Sequence, residues 1–237
     1  MNRFYRVILR NLPRITAYFP RMKRMALRPY RYTRQQRYNM AMKCVRHVAR
    51  SGRIEVEAFG LEHIPAEDGC LICANHQDKF DPLAIWMTHA QPVSVVISDD
   101  ACHRPLIRDF VRIVDAIKLK KNNLKSMYRM TEEMTQRLRE GERFILFPEG
   151  RYEEEYHMLL PFMPGCFRSA IRAEKPIVPV AIVDSFRAFA EDTHQAVRVG
   201  VHYLEPILPS EYSGLRTTDV SELVRARIQC ALDEFQT

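Results

Sequence analysis

Two polar breaks in otherwise apolar runs hold the residues of this chain best suited to chemistry. The first, Asn75-His76-Gln77-Asp78-Lys79-Phe80-Asp81, follows the apolar run at 70–74 and ends at Pro82. A histidine free of strong neighbours titrates at about 6.5, so near neutral pH it takes a proton from a hydroxyl. It does so best when a partner fixes its tautomer and steadies the imidazolium, and a carboxylate across a tight loop is such a partner. His76 and Asp81 are therefore the candidate catalytic pair. Each has a plainer reading. Asp81 before Pro82 is also how a helix start looks, with the carboxylate satisfying backbone donors. His76 is one of eight histidines, and a loop histidine bonded to backbone needs no catalytic role.

The second break, Phe147-Pro148-Glu149-Gly150-Arg151, ends the apolar run that starts at Arg143. Proline stops a strand ladder, glycine lets backbone approach a ligand, and arginine offers a rigid fork of donors to a phosphate. Its plain reading is a turn with a surface ion pair between Glu149 and Arg151. A third cluster, Lys118, Lys120 and Lys121, follows another short apolar run and suits an anion, although lysines at a strand end are commonly just solvated. Cys70 and Cys73 resemble half of a metal knuckle, but no second pair exists, and an odd spacing on a strand turns them to opposite faces. They read as buried thiols, with no metal site. The six cysteines form no ladder and no secretory leader is evident, so a reduced, cytosolic setting is expected.

These residues need a scaffold. With 46% hydrophobic residues in 237, the chain can bury a sizeable core. Short β runs are expected at 54–59, 70–74, 93–97, 116–119, 143–147, 177–183 and 197–203, and helices at 82–89, 123–140, 164–173 and 219–235. The alternation predicts an α/β domain over 53–237, with a mostly parallel central sheet flanked by helices. Active groups in such a fold gather at the carboxyl ends of strands, where His76 and Glu149 fall.

Residues 1–52 form a different region. Before Glu55 there are fifteen Lys or Arg and no Asp or Glu, whereas the remainder carries 21 basic against 29 acidic residues. Phe4, Ile8, Leu12, Ile15, Phe19 and Met22 recur at helical spacing with arginines on the other sides, the pattern of a helix lying in a lipid interface. Pro13 and Pro20 are expected to break it into short helices or kinks, and a longer helix is expected over 32–50. This N-terminal basic amphipathic helical region reads as membrane-docking. Docking on its own domain and nucleic-acid binding are the alternatives, and helical spacing of the apolar residues argues against the latter. No stretch of eighteen apolar residues exists, so no membrane span is expected.

The order Asn75-His76, Asp81, Lys121, Phe147-Pro148-Glu149-Gly150-Arg151, then Ile177-Val178-Pro179-Val180-Ala181 resembles the four-block signature of the glycerolipid acyltransferases, of which lysophosphatidic acid (1-acylglycerol-3-phosphate) acyltransferase is the best-known branch. The likeness runs from about Gly60 to at least Ile182. It implies that His76 is the general base and Asp81 its orienting partner. It also implies that Lys121, Glu149, Gly150 and Arg151 hold the acceptor phosphate, and that Pro179 lies in a block shaping the acyl or acceptor pocket. Lys121 stands where the family usually has arginine, and Asp115 where it often has glycine. The implied reaction passes a fatty acyl chain from a thioester, acyl-CoA or acyl-carrier protein, to a lysophospholipid acceptor, giving phosphatidic acid from 1-acylglycerol 3-phosphate. No cofactor or nucleic acid is implied, and the expected location is the cytoplasmic face of a membrane, peripheral or monotopic. Another lysolipid or glycerol 3-phosphate as acceptor, or a non-catalytic lipid-binding role on the same fold, are the alternatives.

Overall fold

The computed structural model describes residues 3–66, 68–103, 105–153, 158–191 and 195–235. Its first element is α1 (Arg3–Leu27), one continuous helix containing both Pro13 and Pro20. The expected breaks do not occur. Both prolines sit on exposed positions, and the helix is held from outside by packing on its neighbours. After a turn at Pro29–Arg31 comes α2 (Arg34–Gly52), whose Thr33 and Gln36 form a reciprocal capping box.

The apolar residues of α1 divide between the protein and solvent. Val7, Asn11, Met22 and Met25 are buried, Leu12 is exposed and Phe19 half-buried. The side chains of Phe4, Ile8 and Ile15 lie outside the described residues. Met22 and Met25 join Tyr38, Met42 and Val45 of α2 in the same apolar cluster as the sheet. The basic region is thus packed on the remainder of the chain.

The chain then alternates β1 (Ile54–Phe59), β2 (Leu71–Ala74), α3 (Asp81–Thr88), β3 (Val93–Ser98), α4 (Asp99–Cys102), α5 (Pro105–Ile113), β4 (Ile117–Leu119), α6 (Leu124–Arg139), β5 (Arg143–Leu146), α7 (Arg168–Ala173), β6 (Ile177–Val183), β7 (Val197–Tyr203), α8 (Pro209–Tyr212) and α9 (Thr217–Phe235). Sequence periodicity missed α4 and α5. Among the described residues the strands form one sheet in the order β1-β7-β6-β2-β5-β3-β4, parallel at every pairing except β6 with β7. β2, β5 and β6 are buried almost throughout, which explains their unbroken apolar runs. Helices cover both faces. Cys70 belongs to the cluster under α2 and Cys73 to the cluster under α6 and α9, so the pleat separates them as expected. Burial pushes the Cys70 thiol up to about 12.

Asp115 occupies a left-handed position, φ 52°, of the kind that favours glycine. Its carboxylate accepts from Arg37 of α2 at 2.5 Å and lies 3.7 Å from Arg34. Arg34 in turn meets Glu142 at 2.8 Å, and Glu142 also pairs with Arg137 of α6. A charge network thereby ties α2 to α6 and to the turns that lead into β4 and β5.

Candidate active site

β6, β2 and β5 lie side by side at the middle of the sheet and point the same way, so the loops leaving their carboxyl ends meet. Asn75 and His76 follow β2, Phe147 to Arg151 follow β5, and Asp184 and Ser185 follow β6. Asn75 laces two of these ends together. Its side-chain nitrogen donates to the Ile182 carbonyl at 3.0 Å, and its oxygen accepts from the Ile182 N–H at 2.7 Å.

His76 Nδ1 lies 2.6 Å from Asp81 Oδ2. An ionised carboxylate only accepts, so the proton belongs on Nδ1 and Nε2 remains as the basic nitrogen. Asp81 is fully buried at the start of α3, yet it does not cap that helix. Its Oδ2 accepts from the backbone N–H groups of Gln77 at 2.6 Å and Asp78 at 3.0 Å, which lie upstream in the same loop, and its Oδ1 accepts from the Ser185 hydroxyl. The turn that carries His76 is thus wound around this one carboxylate. The imidazole stacks on Phe147, centroids 4.4 Å apart, and meets the edge of Tyr152 at 4.8 Å, so its plane is set from both sides.

Glu149 is 7% exposed and turns both oxygens to backbone: Oε1 accepts from His76 N at 2.6 Å and Oε2 from Leu160 N at 2.8 Å. A residue read from sequence as a phosphate ligand thus spends one oxygen on the His76 loop and the other on its own connection at Leu160. Burial pushes its carboxyl up to about 7, against the pull of the Leu160 and His76 donors. Asp78, also buried, is raised for the same reason. Gly150 takes φ 67° to close the turn, and its carbonyl accepts from Lys121 Nζ at 2.6 Å. Arg151 is exposed and pairs with Glu153 at 2.9 Å, not with Glu149 as the plain reading of the turn supposed. Lys121 is therefore docked beside Gly150, the residue before Arg151. Pro179 is elsewhere, buried within β6 opposite Cys73. The part of β6 that reaches the site is its end, Val183 and Asp184.

A cavity of about 420 Å³ opens over His76. Its lining combines the polar Asn75, His76, Gln77, Glu149 and Asp184 with the apolar Met158, Leu159, Val183, Leu232 and Phe235. The imidazole therefore borders a space lined by both polar and apolar side chains. Among the described residues no group of three His, Cys, Asp or Glu is placed to hold a metal ion. Sequence reasoning missed Ser185, Gln77, Leu232 and Phe235. Leu232 and Phe235 end a helix more than 150 positions after His76, and nothing local marks them.

The model of the acyltransferase family matches residues 53–183, which includes every element that carries the His76 site except the end of α9 and the start of the β6–β7 connection. The chain is 29% identical over 184 residues to "1-acyl-sn-glycerol-3-phosphate acyltransferase alpha" of Ovis aries, covering 72% of this chain and 59% of that protein. It is 27% identical over 136 residues to the "Probable 1-acyl-sn-glycerol-3-phosphate acyltransferase" of Mycoplasma pneumoniae, 56% of this chain and 50% of the relative. The aligned part thus spans about half to three-fifths of these two relatives. The crystal structure of the 1-acyl-sn-glycerophosphate (LPA) acyltransferase PlsC from Thermotoga maritima superposes with a TM-score of 0.73 over 98% of both chains at 18% identity, so the two share a fold.

Proposed function

This chain belongs to the acyltransferase family, and we propose that within it the chain moves a fatty acyl group from a thioester to the free hydroxyl of 1-acylglycerol 3-phosphate, giving phosphatidic acid. The observation that carries this reading is the His76–Asp81 pair beneath a cavity lined by both polar and apolar side chains. The acceptor hydroxyl attacks the thioester carbonyl carbon while His76 Nε2 takes its proton. Asp81, held by its other donors, keeps the ring in the Nδ1–H form and steadies the imidazolium. The tetrahedral intermediate collapses with loss of thiolate, which receives the proton back from His76. A thioester is already activated, so the reading calls for neither an acyl-enzyme nor a cofactor, and acyl-CoA or acyl-carrier protein would serve as donor. Lys121, docked on the Gly150 carbonyl, and the neighbouring Arg151 suit the acceptor phosphate, and the apolar lining suits an acyl chain.

Delivery of such substrates calls for a membrane surface. No described helix is long and apolar enough to cross a membrane. On α1, however, Tyr5, Leu9 and Leu12 share one exposed face at helical spacing, and Arg6, Arg10, Arg14 and Arg21 run along the adjoining side. Tyr30, 80% exposed, stands in the turn that follows. An apolar stripe beside a cationic one fits the interface of an anionic membrane, and the acid-free first 54 residues supply the attraction.

The test is turnover on anionic vesicles carrying 1-acylglycerol 3-phosphate, or other lysolipids, with acyl-CoA or acyl-carrier protein as donor. Replacing His76 by Ala should lower kcat roughly 10²- to 10⁴-fold while leaving vesicle binding intact. Near-normal turnover in the variant would sink the base assignment, and silence of the wild type on every pair would favour a non-catalytic lipid-binding role.

A further inference from the structure

We infer that Ser185 is a positioning residue of this site: its hydroxyl holds the far oxygen of Asp81 and thereby sets how strongly Asp81 draws the proton on His76. The inference rests on the pair acting as proposed above. Ser185 is fully buried and lies 104 positions after Asp81, yet its hydroxyl donates to Asp81 Oδ1. A second bond fixes it from the backbone, where Ser185 N donates to Gln77 Oε1 at 3.0 Å. The residue before it, Asp184, takes φ 62°, and this left-handed step after β6 turns Ser185 back toward the β2 loop. Arg187 pairs with Asp184 at 3.2 Å and keeps that step in place. The clamp of Asn75 on Ile182 fixes the strand just before it. Ser185 is therefore seated from several sides, with its one rotatable hydroxyl directed at the carboxylate that His76 uses.

The chemistry of that bond sets the direction of its effect. Each donor to a carboxylate spreads and lowers its charge. Three donors share Oδ2, and the Ser185 hydroxyl is on Oδ1. Removing it leaves a more basic Asp81, which favours the protonated imidazole. Neutral His76, the form able to accept a proton, would then persist only to a higher lower limit of pH. The other titratable groups about the ring are Glu149, from the loop after β5, Asp78, in its own loop beside Lys79, Asp184, after β6 in the same cavity lining, and Tyr152, whose ring meets the imidazole.

The test follows the ring itself. In full-length protein, ¹⁵N-histidine resonances are titrated in wild type, Ser185→Ala and Ser185→Cys, with His76 assigned by its absence in His76→Gln. The titration of His76 should move up by about half to one pH unit in Ser185→Ala and by less in Ser185→Cys, which keeps a weaker donor. The shift should persist in a Glu149→Gln background, which separates it from that carboxyl. Turnover should show the same displacement in the acidic limb of kcat with KM unchanged. An unmoved or downward-shifted titration in the folded variants overturns the inference, and Ser185→Cys keeps the test readable if Ser185→Ala does not fold. Because the ring titration needs no turnover, its failure is separate from failure of the acyltransferase reading, which His76→Ala decides.

Discussion

Glu149 offers the sharpest test of how this site is held together, because two physical effects on one carboxyl oppose each other. Burial favours the neutral acid and raises its titration to about 7 from an ordinary 4.5, while the N–H groups of His76 and Leu160, at 2.6 and 2.8 Å, favour the anion. A carboxyl whose folded value is raised binds its proton more tightly folded than unfolded, so its contribution to stability is present below 4.5 and is lost as pH rises through 7. At 1.36 kcal/mol per unit the loss is about 3 kcal/mol, an upper figure that falls mostly between about pH 5 and 7. Glutamine at this position does not titrate. It also presents an amide NH₂ to one of the two backbone donors, a constant cost of about 1–3 kcal/mol. Urea unfolding of wild type and Glu149→Gln at pH 5, 6, 7 and 8 separates the two effects. The stability advantage of the wild type should shrink as pH rises. An advantage that is constant across this range, or that grows with pH, would refute the reasoning: the backbone donors would then outweigh burial, and Glu149 would be an anion throughout.

Two further outcomes follow from Lys121 and the N-terminal helix. Lys121→Ala removes the cation docked on the Gly150 carbonyl and should raise KM for a phosphate-bearing acceptor roughly tenfold with a smaller change in kcat, and Lys121→Arg should recover most of it; steady-state kinetics with phosphate-bearing and phosphate-free acceptors would expose an unchanged KM. Replacing Arg14, Arg21 and Arg24 of α1 by Gln should weaken binding to anionic vesicles by about 1 kcal/mol per residue, on the order of a hundredfold in all, and high salt should weaken the wild type likewise. Cosedimentation that shows no loss would remove the membrane role of that face.

What the sequence alone determined is what depends on neighbours along the chain. The buried strands announced themselves as apolar runs because both of their faces are covered, and the alternation of such runs with helical segments was enough for a mostly parallel sheet. His76 and Asp81 were legible because a single tight loop joins them. The continuity of α1 was not, since proline propensity is local and the packing that overrides it is not. Nor was the buried face of α1. Apolar residues at helical spacing do not say whether they meet lipid or protein, and here Met22 is buried and Leu12 exposed, with Val7, Asn11 and Met25 also buried. The tertiary structure alone decided the use of Glu149, because its partners are backbone groups 73 and 11 positions away that carry no sequence signal. It likewise decided Ser185, Leu232 and Phe235. They reach the site because β6 is inserted beside β2 and α9 closes over the carboxyl end of the sheet, and strand order is set by packing of the whole chain, not by any segment of it.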